Sequence, residues 1–438
     1  MKIGYIGLGA MGGSLARRLL KSHPVQVWDL DPAAVNRLVQ SGATPAASPA
    51  ALANSCNLVF TCLPRSANVR ELLFGTGALA SALSPGTIVI DQTSGDPADT
   101  ARMALDIAAR DSFLLDAPVS GGQRGAEAGT IAIMLAGPQA AYEKARPVLQ
   151  SISPNVEYCG PRGGDAHALK LINNTKSASV RLATLELVAL GRKLGVPLAD
   201  MTRALNAGEG SSKASTIGLA ALLEGRPPVG EFALALLVKD VTLGTGLATA
   251  TRTPLLLANL VRAHHEAALI ALGPQAQLAQ IFDLISGAAG TTFADSAAQS
   301  GVRSQQEAGE LAALLARAVA TSNLLITCEC AALAKRFGLP LDLLARVLLA
   351  GGAWNAAAAR LLPLLAAEEH ATGPGLREVL ADLNTVAGLA RSCGVPIPLS
   401  DTVRGMVEAA SHQPGADNSL LALPRWIGSL AGVEFAKH

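Results

Sequence analysis

The sequence has few aromatic residues, no excess charge of one sign and no paired cysteine motif. Phe, Trp and Tyr make up 3% of the 438 residues, and charged residues make up 16%. Lys plus Arg (35) nearly balances Asp plus Glu (34), and no dense basic run is present, so nucleic acid is not an expected partner. The six Cys are scattered without C-x-x-C spacing, which indicates neither a zinc site nor a disulfide framework. This cysteine usage fits a reducing compartment.

Long apolar runs are also missing. Hydrophobic residues reach 50%, but a charge or a Gly interrupts each run before it attains the roughly 18 residues of a membrane span. We therefore predict no transmembrane helix and no membrane partner. The first six residues already read as a strand and leave no room for a signal peptide, so we expect a cytoplasmic protein. The length predicts about two to four domains.

The N-terminal part alternates short β-rich runs with helical stretches, which predicts βαβ units on a parallel sheet. Helix starts are marked by Asp31-Pro32, Ser48-Pro49 and Asp96-Pro97, each with a capping side chain before a Pro. The predicted strands are Lys2–Gly7, Val25–Asp29, Asn57–Leu63, Thr87–Asp91, Phe113–Val119, Thr130–Gly137 and Asn155–Gly160.

After Gly160 the β-rich runs stop and an Ala/Leu-rich helical pattern continues almost to the C-terminus. The helical part repeats itself: the segment that starts at Gly195-Val196-Pro197-Leu198 recurs 143 residues later as Gly338-Leu339-Pro340-Leu341. Further on, Val261-Arg262 recurs as Val403-Arg404 at an offset of 142. We predict an α/β fold with a dinucleotide-binding domain and a duplicated all-α domain, bounded at residues 1–162, 163–290 and 300–438.

A glycine-rich motif supplies the first chemical signal. It ends the first predicted strand, opens a helix and reads Gly7-Leu8-Gly9-Ala10-Met11-Gly12. In a Rossmann unit the first Gly permits the tight turn, the second lets the backbone approach a pyrophosphate and the third allows close packing of helix and strand. The helix N-terminus then favours the phosphate charge. The motif predicts a dinucleotide cofactor.

Asp29 ends the second predicted strand, where a carboxylate accepts hydrogen bonds from the adenine-ribose hydroxyls. Asp31 lies two residues further on, and no Arg follows immediately. A 2′-phosphate would meet two negative charges, so we predict NAD rather than NADP. For Asp31 itself we expect helix capping as the main role.

Three further motifs resemble the β-hydroxyacid dehydrogenases, the family of 3-hydroxyisobutyrate dehydrogenase and tartronate semialdehyde reductase. The resemblance covers residues 1 to about 270 in the family's order. The family's substrate motif is similar to Asp116-Ala117-Pro118-Val119-Ser120-Gly121-Gly122. Its catalytic motif, G-x-G-x-x-x-K-x-x-N-N, is similar to the run from Gly164 to Asn174. Its later K-D pair is similar to Lys239-Asp240. One departure stands at Ala166, where the family has a second Gly; the added methyl could narrow the pocket.

The resemblance implies a role for each matching residue. Lys170 is the implied catalytic lysine, with Asn174 beside it. The implied substrate contacts are Ser120, Gly121 and Gly122, together with Ser212 in the Ser211-Ser212-Lys213 turn, for which a purely structural role is equally open. The implied cofactor contacts, besides the glycine motif and Asp29, are Leu63, Pro64, Asn68, Ser94 and Lys239.

The chemistry of these residues agrees with the resemblance. Lys170 and Asn174 are four residues apart, so on a helix both project from one face. A lysine ammonium can stabilise negative charge that grows on a carbonyl oxygen during hydride transfer and then donate its proton. The Ser120-Gly121-Gly122 loop can offer backbone N–H groups to a carboxylate. For His167, one turn before Lys170, we expect a capping or surface position, and for the adjacent His264 and His265 no metal site, since they lack chelating spacing.

The sequence therefore predicts an NAD-dependent oxidoreductase for a small carboxylate substrate, a β-hydroxyacid or its semialdehyde. An imine reductase-like enzyme and a non-catalytic protein of the same fold stay open as alternatives. At the repeat offset Lys170 corresponds to Ala313 and Lys239 to Ala381, so the second helical copy keeps packing residues and loses the reacting ones. We predict that it forms an internal pseudo-dimer with the first; a homodimer of the chain and a regulatory ligand in the second copy are further options.

Overall fold

The computed structural model describes residues 1–76, 78–294, 304–367, 375–413, 419–420 and 422–435. The chain forms two compact units, residues 1–171 and 172–438. Both predicted helical domains fall in the second unit except for residues 163–171, which belong to the first unit. The predicted start of the last domain, residue 300, lies outside the described residues.

The first unit carries a nine-stranded sheet with helices between its strands. The strands are β1 (Ile3–Ile6), β2 (Val25–Trp28), β3 (Thr44–Pro45), β4 (Leu58–Thr61), β5 (Ile88–Asp91), β6 (Phe113–Asp116), β7 (Val119–Ser120), β8 (Ala132–Ala136) and β9 (Val156–Gly160). The helices are α1 (Ala10–Leu20), α2 (Pro32–Val39), α3 (Pro49–Ser55), α4 (Ser66–Phe74), α5 (Pro97–Ala108), α6 (Gly122–Ala128) and α7 (Gln139–Ile152), with a 3₁₀ turn at Leu79–Ala82.

The strand order is β3-β2-β1-β4-β5-β6-β8-β7, with β9 beside β8. Alternate residues of a strand face opposite sides of the sheet, and accordingly Ile88 and Ile90 of β5 join one hydrophobic core while Val89 joins the other. Burial on both faces explains why the parallel strands read as continuous apolar runs rather than as alternating ones.

The predicted parallel sheet has an antiparallel edge, where β8 runs antiparallel to β6 and β7. The predicted strand Phe113–Val119 is also two strands, because the chain leaves β6 after Asp116 and Pro118 has no N–H to donate to a sheet ladder. The two-residue strand β3 was not predicted, since so short a run has no measurable period.

The helical region consists of α8 (Asp165–Lys193), which spans the boundary between the units, and the helices of the second unit. These are α9 (Leu198–Asn206), α10 (Ala220–Leu223), α11 (Leu234–Ala250), α12 (Leu256–Leu272), α13 (Gln280–Ala288), α14 (Gln305–Phe337), α15 (Leu341–Ala350), α16 (Ala356–Ala367), α17 (Leu376–Cys393), α18 (Pro398–Ser411) and α19 (Ala422–Ala431), with a π-helical segment at Ala214–Leu219.

The long helix α14 is apolar enough to cross a membrane by length and composition, but 72% of its apolar window is buried within the protein. It packs against α9, α16, α17 and α19. This is the position of a core helix, whose surface is apolar all round because other helices surround it.

Buried glutamates connect the two predicted helical domains, which are called the first and the second helical segment from here on. The connection is reciprocal. Glu186 of α8 accepts the backbone N–H groups of Leu399 and Ser400 at the start of α18, at 3.1 and 3.2 Å. Glu329 of α14 accepts those of Leu257 and Ala258 at the start of α12, at 2.9 and 3.2 Å. Each carboxylate satisfies helix N-terminal donors of the other segment.

The same reciprocity holds at the turns. Ser212 and Asn355 form an antiparallel bridge. Around it Lys213 N–H donates to the Trp354 carbonyl at 3.4 Å and Ala356 N–H donates to the Ser211 carbonyl at 2.9 Å. Because each of these bonds maps onto its partner at the 143-residue offset, the contact has approximate two-fold character.

Candidate functional site

The glycine motif forms the turn from β1 into α1. Gly7 has φ of +90°, and a Cβ there would collide with the Cys62 carbonyl, while a Cβ on Gly12 would collide with the Gly7 carbonyl. A Cβ on Gly9 would meet nothing within 4 Å. The backbone is therefore open to a ligand at Gly9 and closely packed on either side, as a pyrophosphate-binding turn requires.

Asp29 uses its carboxylate to fix this turn. Oδ2 accepts the Leu8 N–H at 2.5 Å, and Oδ1 accepts the Asp31 N–H at 2.8 Å. Asp31 in turn accepts the Ala33 N–H at 2.9 Å, which confirms the predicted cap of α2. The end of β2 thus places a carboxylate directly against the glycine turn.

The other predicted dinucleotide contacts follow strands at the same edge of the sheet. Leu63 and Pro64 follow β4, Ser94 follows β5, and Asn68 is exposed in the first turn of α4. The parallel register pairs Ile6 with Thr61 and Thr61 with Asp91, so these loops leave neighbouring strands at their carboxyl ends. Open α/β sheets bind ligands at this edge.

The Ser120-Gly121-Gly122 loop joins β7 to α6. Both glycines have positive φ, +136° at Gly121 and +67° at Gly122, and both are exposed. Such a conformation turns successive backbone N–H groups towards one side, and a side chain on either residue would be strained. The loop can therefore hold a carboxylate.

Sequence reasoning assigned no role to Asp116, the last residue of β6. It is fully buried and accepts the backbone N–H groups of Gly164 and His167, each at 2.9 Å, at the start of α8. Burial raises the pKa of Asp116, opposed by the nearby His167 and by these hydrogen bonds. The carboxylate fixes the start of the helix that carries Lys170.

The expectation of a capping or surface position for His167 is wrong for its side chain. The ring is fully buried, and Nδ1 lies 2.8 Å from the Thr100 hydroxyl of α5. The adjacent turn packs so closely that a Cβ on Gly95 would lie 3.1 Å from this ring. His167 is therefore a core residue one turn before Lys170.

Lys170 and Asn174 lie one turn apart on α8, as predicted. Lys170 is 8% exposed and Asn174 is half-buried. The Asn174 amide Nδ2 donates to Asp240 Oδ2 at 2.6 Å, and Lys239 Nζ lies 3.2 Å from Asp240 Oδ1. The second unit thus brings together Asn174, Lys239 and the buried Asp240. The Lys239-Asp240 pair marks Asp240 in the sequence, but it does not show that Asp240 pairs with Asn174.

Ser212 is placed differently from the other predicted substrate contacts. It is fully buried, its N–H donates to Ser215 Oγ at 3.0 Å, and its backbone forms the bridge with Asn355. The structure gives Ser212 a packing role between the two helical segments, and its substrate contact stays a prediction.

Two family descriptions account for almost the whole chain. "NAD binding domain of 6-phosphogluconate dehydrogenase" matches residues 2–160. "NAD-binding of NADP-dependent 3-hydroxyisobutyrate dehydrogenase" matches residues 164–285 and again residues 308–427. The chain belongs to the β-hydroxyacid dehydrogenase family. It is an oxidoreductase of a family whose relatives act on hydroxyacids with a nicotinamide dinucleotide.

Individual relatives agree. The chain is 36% identical to 2-(hydroxymethyl)glutarate dehydrogenase of Eubacterium barkeri over 56% of this chain and 81% of the relative. It is 31% identical to human mitochondrial 3-hydroxyisobutyrate dehydrogenase over 59% and 79%. The structure of the Mycobacterium tuberculosis 3-hydroxyisobutyrate dehydrogenase matches with a TM-score of 0.60 at 26% identity, over 65% and 98%.

These relatives correspond to a little over half of this chain. A match to both helical segments comes from Plasmodium falciparum 6-phosphogluconate dehydrogenase, with a TM-score of 0.69 over 97% of this chain and 95% of that one. At 16% identity this likeness shows the fold alone. The fold is a Rossmann-type sheet followed by an extended helical region.

Proposed function

We propose that this protein is an NAD-dependent β-hydroxyacid dehydrogenase that oxidises a small β-hydroxyacid to its semialdehyde, or reduces the semialdehyde, with Lys170 as general acid and base. One observation carries the proposal: Lys170 is a buried lysine on the same helix face as Asn174, whose amide is anchored by Asp240. A lysine at 8% exposure is uncommon, because lysine is almost never fully buried unless it is paired.

The nicotinamide supplies or accepts the hydride when it is bound. Lys170 acts on the oxygen of the reacting carbon: the ammonium donates a proton as the carbonyl is reduced, and the amine takes a proton from the hydroxyl in the opposite direction. Ser120, Gly121 and Gly122 hold the substrate carboxylate through N–H and O–H donors. Asp240 keeps the Asn174 amide oriented towards the substrate hydroxyl.

For the cofactor we propose NAD, with NADP disfavoured. Asp29 is held against the glycine turn and Asp31 caps the adjacent helix, so two carboxylates surround the expected place of the ribose 2′-oxygen. A phosphate at that oxygen would be repelled. The remaining cofactor contacts follow the predicted set: Leu63, Pro64, Asn68, Ser94 and Lys239.

The two helical segments, we infer, form an internal pseudo-dimer. The reciprocal caps by Glu186 and Glu329 support this, as does the double match to one family description. Covalent linkage makes such a contact independent of protein concentration. A homodimer of the whole chain is compatible with this arrangement.

A substrate panel tests the proposed activity. Full-length protein with NAD is supplied with 3-hydroxyisobutyrate or 2-(hydroxymethyl)glutarate, and with NADH it is supplied with a cyclic imine; NADH absorbance is followed in each case. We expect NADH to form with at least one hydroxyacid, and we expect no loss of NADH with the imine. Imine reduction without hydroxyacid oxidation would favour an imine reductase, and no reaction with the entire panel would favour a non-catalytic protein.

A further inference from the structure

One face of α8 stays open to solvent although the rest of the helix is buried. Between Asp165 and Gly191 the residues with partial exposure are Asn174, Ser177 and Arg181. Their spacing of three and four residues places them on one stripe, which continues the face of Lys170. These half-buried polar side chains form a stripe along α8 that leads away from the proposed catalytic lysine, and we call this stripe the polar groove.

Arg181 lies at the far end of this groove. Its Nη2 donates to the Ser177 hydroxyl at 3.4 Å, so the side chain leans back one turn along the helix. Its Nη1 is buried and has no hydrogen-bond partner among the residues that the structure describes. Burial lowers the pKa of Arg181 to about 10, which still leaves the guanidinium charged at neutral pH. A cation with an unsatisfied donor is a site for an anion.

His265 of α12 stands close to this guanidinium. The ring is 1% exposed, and Nδ1 donates to the Val261 carbonyl at 2.8 Å. Burial, together with the charges of His264 and Arg181, lowers the pKa of His265 to about 4, so the ring is uncharged at neutral pH and presents the lone pair of Nε2. Within the described part of the chain, that Nε2 and the His264 Nδ1 are both buried without hydrogen-bond partners.

The second helical segment shows that packing does not require these polar groups. At the repeat offsets Arg181, His264 and His265 correspond to Leu324, Met406 and Val407, which are 4%, 3% and 0% exposed. At these three positions the equivalent helices pack with apolar side chains. Burying three nitrogens without hydrogen-bond partners destabilises the first segment. The second segment has apolar side chains at these positions and avoids this cost.

In the second segment, a salt bridge occupies positions equivalent to those beside the polar groove. Asn174 corresponds to Arg317 and Asp240 to Asp382, and Arg317 forms a two-point salt bridge with Asp382, at 2.6 and 3.0 Å. The position that in the first segment holds a half-buried amide is thus occupied by a guanidinium and its own partner. At the positions equivalent to Arg181, His264 and His265, the second segment therefore carries no side-chain nitrogen that needs a partner.

We propose that the Ser177 hydroxyl and the Arg181 guanidinium form a subsite for a second carboxylate on the substrate, so that the preferred substrate is a β-hydroxy dicarboxylate. This rests on the proposed function. At about 1.5 Å per residue, Ser177 lies roughly 5–10 Å along the axis from Asn174 and Lys170, the reach of a short carbon chain. One guanidinium beside an uncharged imidazole matches a single carboxylate charge better than a phosphate dianion.

The decisive variant is Arg181→Leu, which installs the residue of the second segment. It should raise KM for 2-(hydroxymethyl)glutarate about 10–100-fold and leave KM for 3-hydroxyisobutyrate within about twofold, because the monocarboxylate does not reach the subsite. Arg203→Leu, at an exposed arginine paired with Asp200, is the matched control and should change neither. An equal change for both substrates, or no change for the dicarboxylate, overturns the subsite.

A binding measurement separates this proposal from the proposed function. Calorimetry of glutarate and of inorganic phosphate with the full-length protein should show glutarate binding that Arg181→Leu abolishes, with phosphate bound more weakly. If glutarate binds through Arg181 and no hydroxyacid is oxidised, the dehydrogenase proposal fails and the subsite stands. If hydroxyacids are oxidised and glutarate fails to bind the folded wild type, the subsite fails alone. Should Arg181→Leu not fold, Arg181→Lys keeps the charge, loses the planar fork and should weaken glutarate binding measurably.

Discussion

Asp29 combines a structural and a recognition role in one side chain. Its two oxygens accept the Leu8 and Asp31 N–H groups, so the carboxylate shapes the glycine turn while its charge stays at the end of β2. An asparagine removes the negative charge and keeps one of the two acceptor oxygens, so it also loses one of these hydrogen bonds.

We predict that Asp29→Asn lowers the ratio of kcat/KM with NAD to kcat/KM with NADP by about tenfold or more, equivalent to about 1.4 kcal/mol. The measurement is initial rates with both cofactors at a fixed hydroxyacid concentration. Asp342→Asn, at an exposed aspartate paired with Arg346, is the control. A wild type that prefers NADP would show that the interpretation of Asp29 is wrong.

Residue roles could be predicted where the signal is local. The glycine turn and the pair Lys170 and Asn174 each lie within a few consecutive residues, so spacing alone reveals them. The cap by Asp116 and the pairing of Asn174 with Asp240 join residues 48 to 66 positions apart, and only the tertiary fold brings them together. Arg181 and His265 carry no motif, which is why sequence reasoning missed the groove.

At the level of elements, the buried glutamates are the polar contacts most sensitive to pH. Burial raises the pKa of Glu186 to about 8 and that of Glu329 to about 7, and the backbone N–H donors oppose the rise only in part. In the unfolded chain both pKa values are near 4.3. The folded state therefore binds more protons than the unfolded state between these limits.

The direction in which stability changes with pH follows from this difference in bound protons. The contribution of these two residues to stability is complete below about pH 4.3, falls as the pH rises towards 7–8, and is constant above. We predict that the free energy of unfolding, from urea titrations between pH 5 and 9, declines by a few kcal/mol relative to a Glu186→Gln/Glu329→Gln variant, whose amides do not titrate. A wild type that gains stability over that variant with rising pH contradicts this assignment.

Strand positions could be predicted more closely than strand directions. The apolar runs that form β1, β2, β4 and β5 are bounded by turn residues and buried on both faces, which the composition reveals. The antiparallel direction of β8 depends on the path of the loop after β6, and an apolar run reads the same in either direction.

At the scale of the whole molecule, the helical region is organised by its own approximate symmetry. The repeat was readable because a duplicated packing surface keeps its turn residues and its apolar pattern even as the reacting residues are replaced. The boundary between the compact units was not readable: it falls inside α8, where a continuous helical pattern gives no sign of a break. The first segment keeps the half-buried polar side chains near Lys170, and the second segment keeps the residues that pack between the two.

The central claim is that the full-length protein transfers a hydride with proton transfer through Lys170. The most direct measurement is the single-turnover rate of NADH formation by Lys170→Ala, alongside NAD affinity and an exposed-lysine control, Lys144→Ala. We predict a rate about 10²–10⁴ lower for Lys170→Ala, with NAD binding and the control unchanged. Turnover by Lys170→Ala close to that of the wild type would contradict the account.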